Sequence, residues 1–433
     1  MILLLLLLRT PAQQASTPSA DIITFHSNEI ASINKLASKL LSELSTSQRN
    51  AFISPRSVYS TLLALMKTAD SQTKESIASA LSITSLMTNE DVLGFWRRSQ
   101  AGCQLIGSHN EFDHPFSLWL KTGRQPQESF TQDLKIVFNS SISEVPFGNT
   151  LASQKFSSYV QEFSNNQVQS NALDHVTGDA NLIGILPVPF QRWWTNKFAI
   201  DPSGWGVFTA ENGTAFETRF LKSSGSFEVN DKDKNVEVVI SSLSPGRIQA
   251  MFIRPKRIQG SLNQMIEEIL APETFNRLFS TQTKTIDFAI PQFNISDTID
   301  LRQALYHSGF EHIFDDSAFV LMASSPVGLH TLYQPASLSF TEHGINSFSP
   351  SPSSPSSPAS SSFSFSFGST FTKSPLVKFD SPFLFLLVDR QTTEIHFAAV
   401  VNDVPGRQLS PEELRSKAQF SWGSFGDEVE RDL

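Results

Sequence analysis

The segment Ser349-Pro350-Ser351-Pro352-Ser353-Ser354-Pro355-Ser356-Ser357-Pro358-Ala359 limits what this chain can fold into more than any other. Proline removes backbone donors, serine keeps the backbone solvated, and no large side chain is offered for burial. Such a tract cannot enter a core. Shortly after it come two almost wholly apolar runs, Pro382 to Val388 and Ile395 to Val401, joined by the polar turn Asp389 to Thr393. They read as buried strands. The fold must therefore tie a solvated loop between ordered elements, a common place for function. The whole stretch opens at Phe340-Thr341-Glu342-His343-Gly344, passes the alternation Phe363-Ser364-Phe365-Ser366-Phe367, and closes on Phe379-Asp380-Ser381-Pro382-Phe383.

Upstream, helical and extended patterns mix. Ile30, Ile33, Leu36, Ala37, Leu40, Leu41 and Leu44 share a helix face. Ala51-Phe52-Ile53 reads as a short buried strand, and Ser54-Pro55 as a helix start in which the Ser oxygen caps free N–H groups. Val58, Leu62, Leu65, Met66 and Ala69 continue that helix until Asp70-Ser71-Gln72-Thr73 breaks it. Phe116 to Leu120 alternates as a strand; Ile136 to Phe138 and Ser143 to Phe147 also read as extended. Phe156, Tyr159, Val160 and Phe163 mark a helix, and Leu182 to Leu186 a strand that Pro187 and Pro189 interrupt. Phe216 to Ile240 is strand-like, with polar turns at Ser223-Ser224 and Asp231 to Asp233. Leu301 and Leu305 mark a helix stopping at Gly309, and Pro411 to Ala418 a short charged one. Without βαβ alternation the class is α+β, in one large domain.

Composition narrows the function classes. The net charge is -9, and Arg254-Pro255-Lys256-Arg257 reads as a solvated loop, so nucleic acid is not a partner. One cysteine, Cys103, excludes an internal disulfide framework. No nucleophile turn, phosphate loop or dinucleotide fingerprint occurs, and His307 and His312 have the wrong offset for a helical zinc pair, so neither an enzyme, a cofactor nor a metal is expected. Residues 1–15 read as a secretory signal: Ile2 to Leu8 is too short to span a bilayer, and Ala15 offers a cleavage edge. Secretion then follows. The missing basic start leaves the cytoplasm as the alternative. Asn139, Asn212 and Asn294 head three Asn-x-Ser/Thr triplets, the glycosylation candidates.

The order of segments resembles the serpins, the serine protease inhibitor superfamily. Phe52-Ile53-Ser54-Pro55-Arg56-Ser57-Val58 is similar to the family's helix start. Val145-Pro146-Phe147 with Tyr159 to Asn166 resembles its long surface helix, and Trp194 with Phe198 to Pro202 its Trp…Phe-Asp-Pro segment. Ile290-Pro291-Gln292-Phe293 and, position by position, Val377 to Leu387 resemble further family signatures. The resemblance covers residues 26–404, leaving 405–433 as an extension. It implies a monomeric serpin-like fold of three sheets with surrounding helices and an exposed reactive loop at 342–376. It also implies a suicide mechanism. A serine protease, trypsin- or chymotrypsin-like, cleaves the loop, and the loop's upstream half enters the central sheet before the acyl-enzyme can break down.

The resemblance also marks departures. The implied hinge is Glu342, Gly344 and Ile345, where Ile345 and Phe348 are bulky at positions the family fills with small residues. Pro350, Pro352, Pro355 and Pro358 lack the N–H a central strand needs. These features favour the alternative of a non-inhibitory member, a binding or carrier protein or a protease substrate. Counting the family's spacing forward lands near Pro358-Ala359 and backward near Phe371-Thr372, which would suit a chymotrypsin-like protease; Lys373-Ser374 beside it would suit a trypsin-like one. Gln334-Pro335 and Leu186-Pro187 replace a His-Lys and an Asn-Ala pair, and 241–254 reads as shortened.

Overall fold

The computed structural model describes residues 20–45, 50–83, 92–97, 115–164, 176, 178–188, 190–244, 247–256, 262–346 and 374–416. The helices include α1 (Ala20–Ser45), α2 (Pro55–Thr68), α3 (Ser71–Ala80), α4 (Glu128–Val137), α5 (Thr150–Ser164), α6 (Leu262–Leu270), α7 (Pro272–Leu278) and α8 (Arg302–His307). The apolar face read for α1 is the buried one, with Ile33, Ala37, Leu40 and Leu41 inaccessible. α2 is buried on nearly all sides. Its Arg56 is sunk among Glu394, bonded through Nη2 at 2.8 Å, and Glu29 at 3.6 Å. A guanidinium so deep needs such partners, since an unpaired buried charge is costly.

The strands form three connected sheets. The central one runs β3 (Ser141–Val145), β2 (Ser117–Lys121), β4 (Leu182–Ile185), β12 (Leu329–Phe340), β11 (Asn294–Asp300). Here β4 and β12 are parallel, although their partners Leu182 and Leu329 lie far apart in the chain. The second sheet runs β6 (Ala199–Thr209), β7 (Ala215–Asn230), β10 (Gln282–Pro291), β14 (Leu376–Lys378). The third runs β8 (Val236–Ser244), β9 (Ile248–Pro255), β15 (Phe383–Asp389), β16 (Ile395–Val401), β1 (Ala51–Ile53).

The apolar run of β15 has a physical reason. Its side chains alternate between two cores: Leu384, Leu386 and Val388 join the one that holds the helices, while Phe383, Phe385 and Leu387 join one built largely from β7, β9 and β10 with the end of β12. A strand covered on both faces loses polar alternation. The second of these cores is aromatic. Phe252 lies within 5.1 Å to 6.3 Å of the rings of Phe288, Phe340, Phe379, Phe383, Phe385 and Trp194. Each such side chain contributes about 1.5–3 kcal/mol on burial.

Several local readings are corrected. Ile136 to Phe138 is the end of α4, not extended chain; Ile136 is 79% exposed, so its apolar character reports no burial. Ser223-Ser224 is no turn, because β7 runs through it and Ser223 is buried against β10. Ser54 makes no side-chain cap; Pro55 at the first turn and the bonding of the Ser54 N–H described below take that place. Asp70 does break α2, but as the cap of α3, accepting from the Thr73 N–H at 2.8 Å. Arg254 is no solvated loop residue: it sits in β9, pairs with Glu237 at 2.6 Å and lies over the Phe379 ring. Independently of these corrections, β8 and β9 pair in register from Val236↔Pro255 to Ser242↔Gln249.

Candidate functional site

The site lies where β12 ends and the Ser/Pro stretch begins. Thr341 makes the turn. Its N–H donates to the Gly344 carbonyl at 3.0 Å, and its hydroxyl oxygen accepts from the N–H groups of His343 and Gly344 at 3.3 Å and 3.2 Å. The turn is also held from the other side. Trp194 Nε1–H donates to the Thr341 carbonyl at 2.9 Å, the Trp194 N–H to that of His343, and the Phe198 N–H to that of Glu342. Backbone groups thus fix Glu342 and His343 in place.

The chain then folds back as the three-residue strand β13 (Gly344–Asn346). It pairs antiparallel with β12, Phe340↔Ile345 and Ser339↔Asn346. Its other edge pairs with β5 (Gln191–Trp194), Gly344↔Trp193 and Asn346↔Gln191. Each of the three hinge residues named from the sequence therefore has a defined place. Glu342 lies in the turn. Gly344 sits where an added Cβ would be 2.1 Å from the Arg192 carbonyl oxygen, so only glycine fits without movement. Ile345 is fully buried, in one cluster with Leu338, Phe340 and Trp194. This burial fastens the short strand to the core.

Below the hinge the central sheet is closed differently. The register of β12 with β4 ends at Tyr333↔Ile185, followed by the Leu186 N–H to the Tyr333 carbonyl at 2.8 Å. In a strand every second residue presents its backbone to the same neighbour. The next such residue after Tyr333 is Pro335, which has no N–H to give. The register with β13 begins only at Ser339. Gln334 points the other way and is fully buried. Its side-chain oxygen accepts from the Ser54 N–H at 3.0 Å, and its amide donates to the Phe52 carbonyl at 3.0 Å, tying β12 to the start of α2. The sequence marks this position only as the place where Gln334-Pro335 replaces a His-Lys pair. Helix α5 covers the junction, its Phe156 edge-on to Tyr333 at 5.7 Å. Burial there, aided by Asp300, pushes the Tyr333 hydroxyl up to about 12.

At the downstream end β14 runs parallel to β10, and Asp287 N–H donates to the Pro375 carbonyl at 3.0 Å. Lys378 lies over the Phe220 ring at 4.4 Å, and Phe379 is fully buried. Of the reactive-bond candidates, Pro358, Ala359, Phe371, Thr372 and Lys373 lie outside the described residues. Ser374 is half-buried, one residue before Pro375, whose carbonyl accepts from the Asp287 N–H. Asn139, Asn212 and Asn294 are all exposed, at the end of α4, in the β6–β7 turn and at the start of β11. Among the described residues no cluster of His, Cys, Asp or Glu could hold a metal ion, and no helix is long and apolar enough to cross a membrane.

A family model described as Serpin (serine protease inhibitor) matches residues 31–404. An uncharacterized serpin-like protein of fowlpox virus is 21% identical, over 82% of this chain and 96% of its own length. Alpha-1-antiproteinase of Bos taurus is 24% identical, over 81% of this chain and 82% of its own. Among solved structures, native protease nexin-1 with heparin superposes with a TM-score of 0.70 at 18% identity, covering 88% of this chain and 99% of that one. Human thyroxine-binding globulin superposes with a TM-score of 0.71 at 21% identity and the same coverage.

Proposed function

The chain belongs to the serpin family, and from that premise we propose that it is a secreted inhibitor of serine-type endopeptidases that uses residues 347–373 as bait. The carrying observation is β13. In the uncleaved chain, Gly344–Asn346 already lie as a strand between β12 and β5, so the first rungs of loop insertion are made. Below them β12 has passed its last register with β4, at Tyr333, leaving room for the strand to lengthen. On cleavage the upstream part of the loop extends β13 along β12. The acylated protease is carried with it and distorted before water can release it. The inhibitor contributes a strand-accepting sheet and no catalytic group, a strain-release switch. Relatives named as proteinase inhibitors agree with this reading, as do the apolar Ile2 to Leu8 run and the exposure of all three Asn-x-Ser/Thr asparagines for a secreted, glycosylated chain.

The second reading is a non-inhibitory serpin, a carrier or a mere protease substrate. Burial of Ile345 favours it, since that anchor resists movement, and so do Pro350, Pro352, Pro355 and Pro358 at positions that would become central strand. One matched structure is a thyroxine-binding globulin complex with thyroxine. The test is limited exposure to trypsin and to chymotrypsin, scored for detergent-stable covalent complexes, with a melting curve before and after a single nick. We expect the first cut within 347–373, a covalent complex with one of the two proteases, and a raised midpoint. A nicked chain with an unchanged midpoint and no complex selects the second reading. A first cut outside 347–373 removes the loop assignment itself.

A further inference from the structure

The chain beyond the matched residues does not trail away from the fold. Thr218 Oγ1–H donates to the Pro405 carbonyl at 2.7 Å. The strand β17 (Arg407–Gln408) then adds to β7, Arg407↔Glu217 and Gln408↔Phe216. Leu409 is buried, and its N–H donates to the Ala215 carbonyl at 2.9 Å. A Cβ on Gly406 would lie 2.5 Å from the Glu217 carbonyl oxygen, so the approach requires glycine. Docked in this way, Pro405 and Gly406 form one wall of a cavity of about 480 Å3. Trp205 and Arg219 also line it, as do Phe293 and Phe340, whose rings stack at 4.3 Å. This wall belongs to the extension, outside the residues the family model covers.

The charge of the lining is unlike that of the chain. The whole molecule carries -9, yet two guanidinium groups line this cavity, from Arg219 and Arg407, and no carboxylate does. Arg407 is answered by Glu217 at 3.0 Å and Glu413 at 2.6 Å. Arg219 pairs with no carboxylate among the described residues; its guanidinium lies 5.1 Å from the ring centre of Trp205. Trp205 is itself 53% exposed, unusual for so large an apolar ring. Gln292 and Ser339 add neutral hydrogen-bonding groups.

We propose that this cavity binds a small planar organic anion of the aryl carboxylate class, with its carboxylate on Arg219 and its ring against Trp205. A guanidinium presents a fork of donors that matches a carboxylate two-pronged, and the exposed indole offers the apolar contact such a ligand needs. The volume falls within the range of about 300–1,000 Å3 that small-molecule sites occupy. Failure to bind such an anion would leave the inhibitor reading untouched, because that reading rests on the β13 pairing and not on this cavity.

The test is calorimetric titration of the full chain with 2-naphthoate, with tryptophan fluorescence read in parallel. We expect saturable one-to-one binding, weakened at least about tenfold by Arg219→Gln, as for loss of a charged hydrogen-bond partner. The uncharged analogue 2-naphthamide should bind the unaltered chain weaker by a similar factor. Trp205→Leu should also weaken binding and abolish the fluorescence change, whereas Arg277→Gln, on α7, should change neither. Arg219 is exposed, so its variant keeps its fold, which a matching melting curve checks. Absence of binding at millimolar probe, or equal affinity in the Arg219→Gln chain, overturns the proposal.

Discussion

The two ends of the loop are anchored by different physics. Upstream, β13 is hydrogen-bonded on both edges and buries Ile345 completely in an aromatic core. Downstream, β14 pairs with β10 and opens on Leu376, which is 58% exposed. The upstream end is therefore a piece of the core, while the downstream end is a surface strand whose hold comes mainly from Phe379 behind it. A force pulling on the loop meets two ladders and a buried side chain within the strand at one end, and one ladder backed by Phe379 at the other.

That contrast can be broken by substitution. Ile345→Ala should cost about 2–5 kcal/mol of stability, the range for a buried Ile cut to Ala. It should also raise amide exchange at 344–346; unchanged exchange there would mean that the strand, not the side chain, holds the hinge. Gly344→Ala should cost about 1–3 kcal/mol, because the new methyl collides with the Arg192 carbonyl. Denaturant unfolding measures both. Leu376→Ala should change stability by no more than about 0.5 kcal/mol, as at other exposed positions. If it costs as much as Ile345→Ala, the asymmetry is wrong.

The smallest effect concerns the docked extension. The Arg407 hydrogen bond, with the Ser410 N–H next, lowers the Glu413 carboxyl from its ordinary 4.5 to about 2. A carboxyl depressed in the fold supports docking above 4.5 and loses that support as pH falls toward 2. A carboxyl-resolved NMR titration should place the Glu413 midpoint near 2; a midpoint near 4.5 would mean that the extension is undocked.

Much of this was legible in the residues, for reasons that can be named. The face of α1 and the double-sided burial of β15 follow directly from apolar spacing. The bulk of Ile345 was visible in the sequence, but its burial was not, because that depends on Leu338, Phe340 and Trp194 from other segments. The Arg407–Gln408 strand was missed because two polar residues carry no period. Its pairing is dictated by Gly406 and Thr218, a contact between distant segments. Ile136 was misread because an exposed apolar residue at a helix end imitates a short strand.

The Gln334 bridge sets the order in which the molecule can be assembled. Its side chain stands in for a peptide unit between Phe52 and Ser54, 280 residues from Ser54 in the chain. Neither the bridge nor the parallel β4–β12 pairing can form until most of the polypeptide has left the ribosome. Contacts that close such long loops are made late and slowly. Until then Phe52 and Ser54 must keep their backbone groups satisfied by water. The early α1–α2 unit therefore stays open at the spot where β12 later arrives.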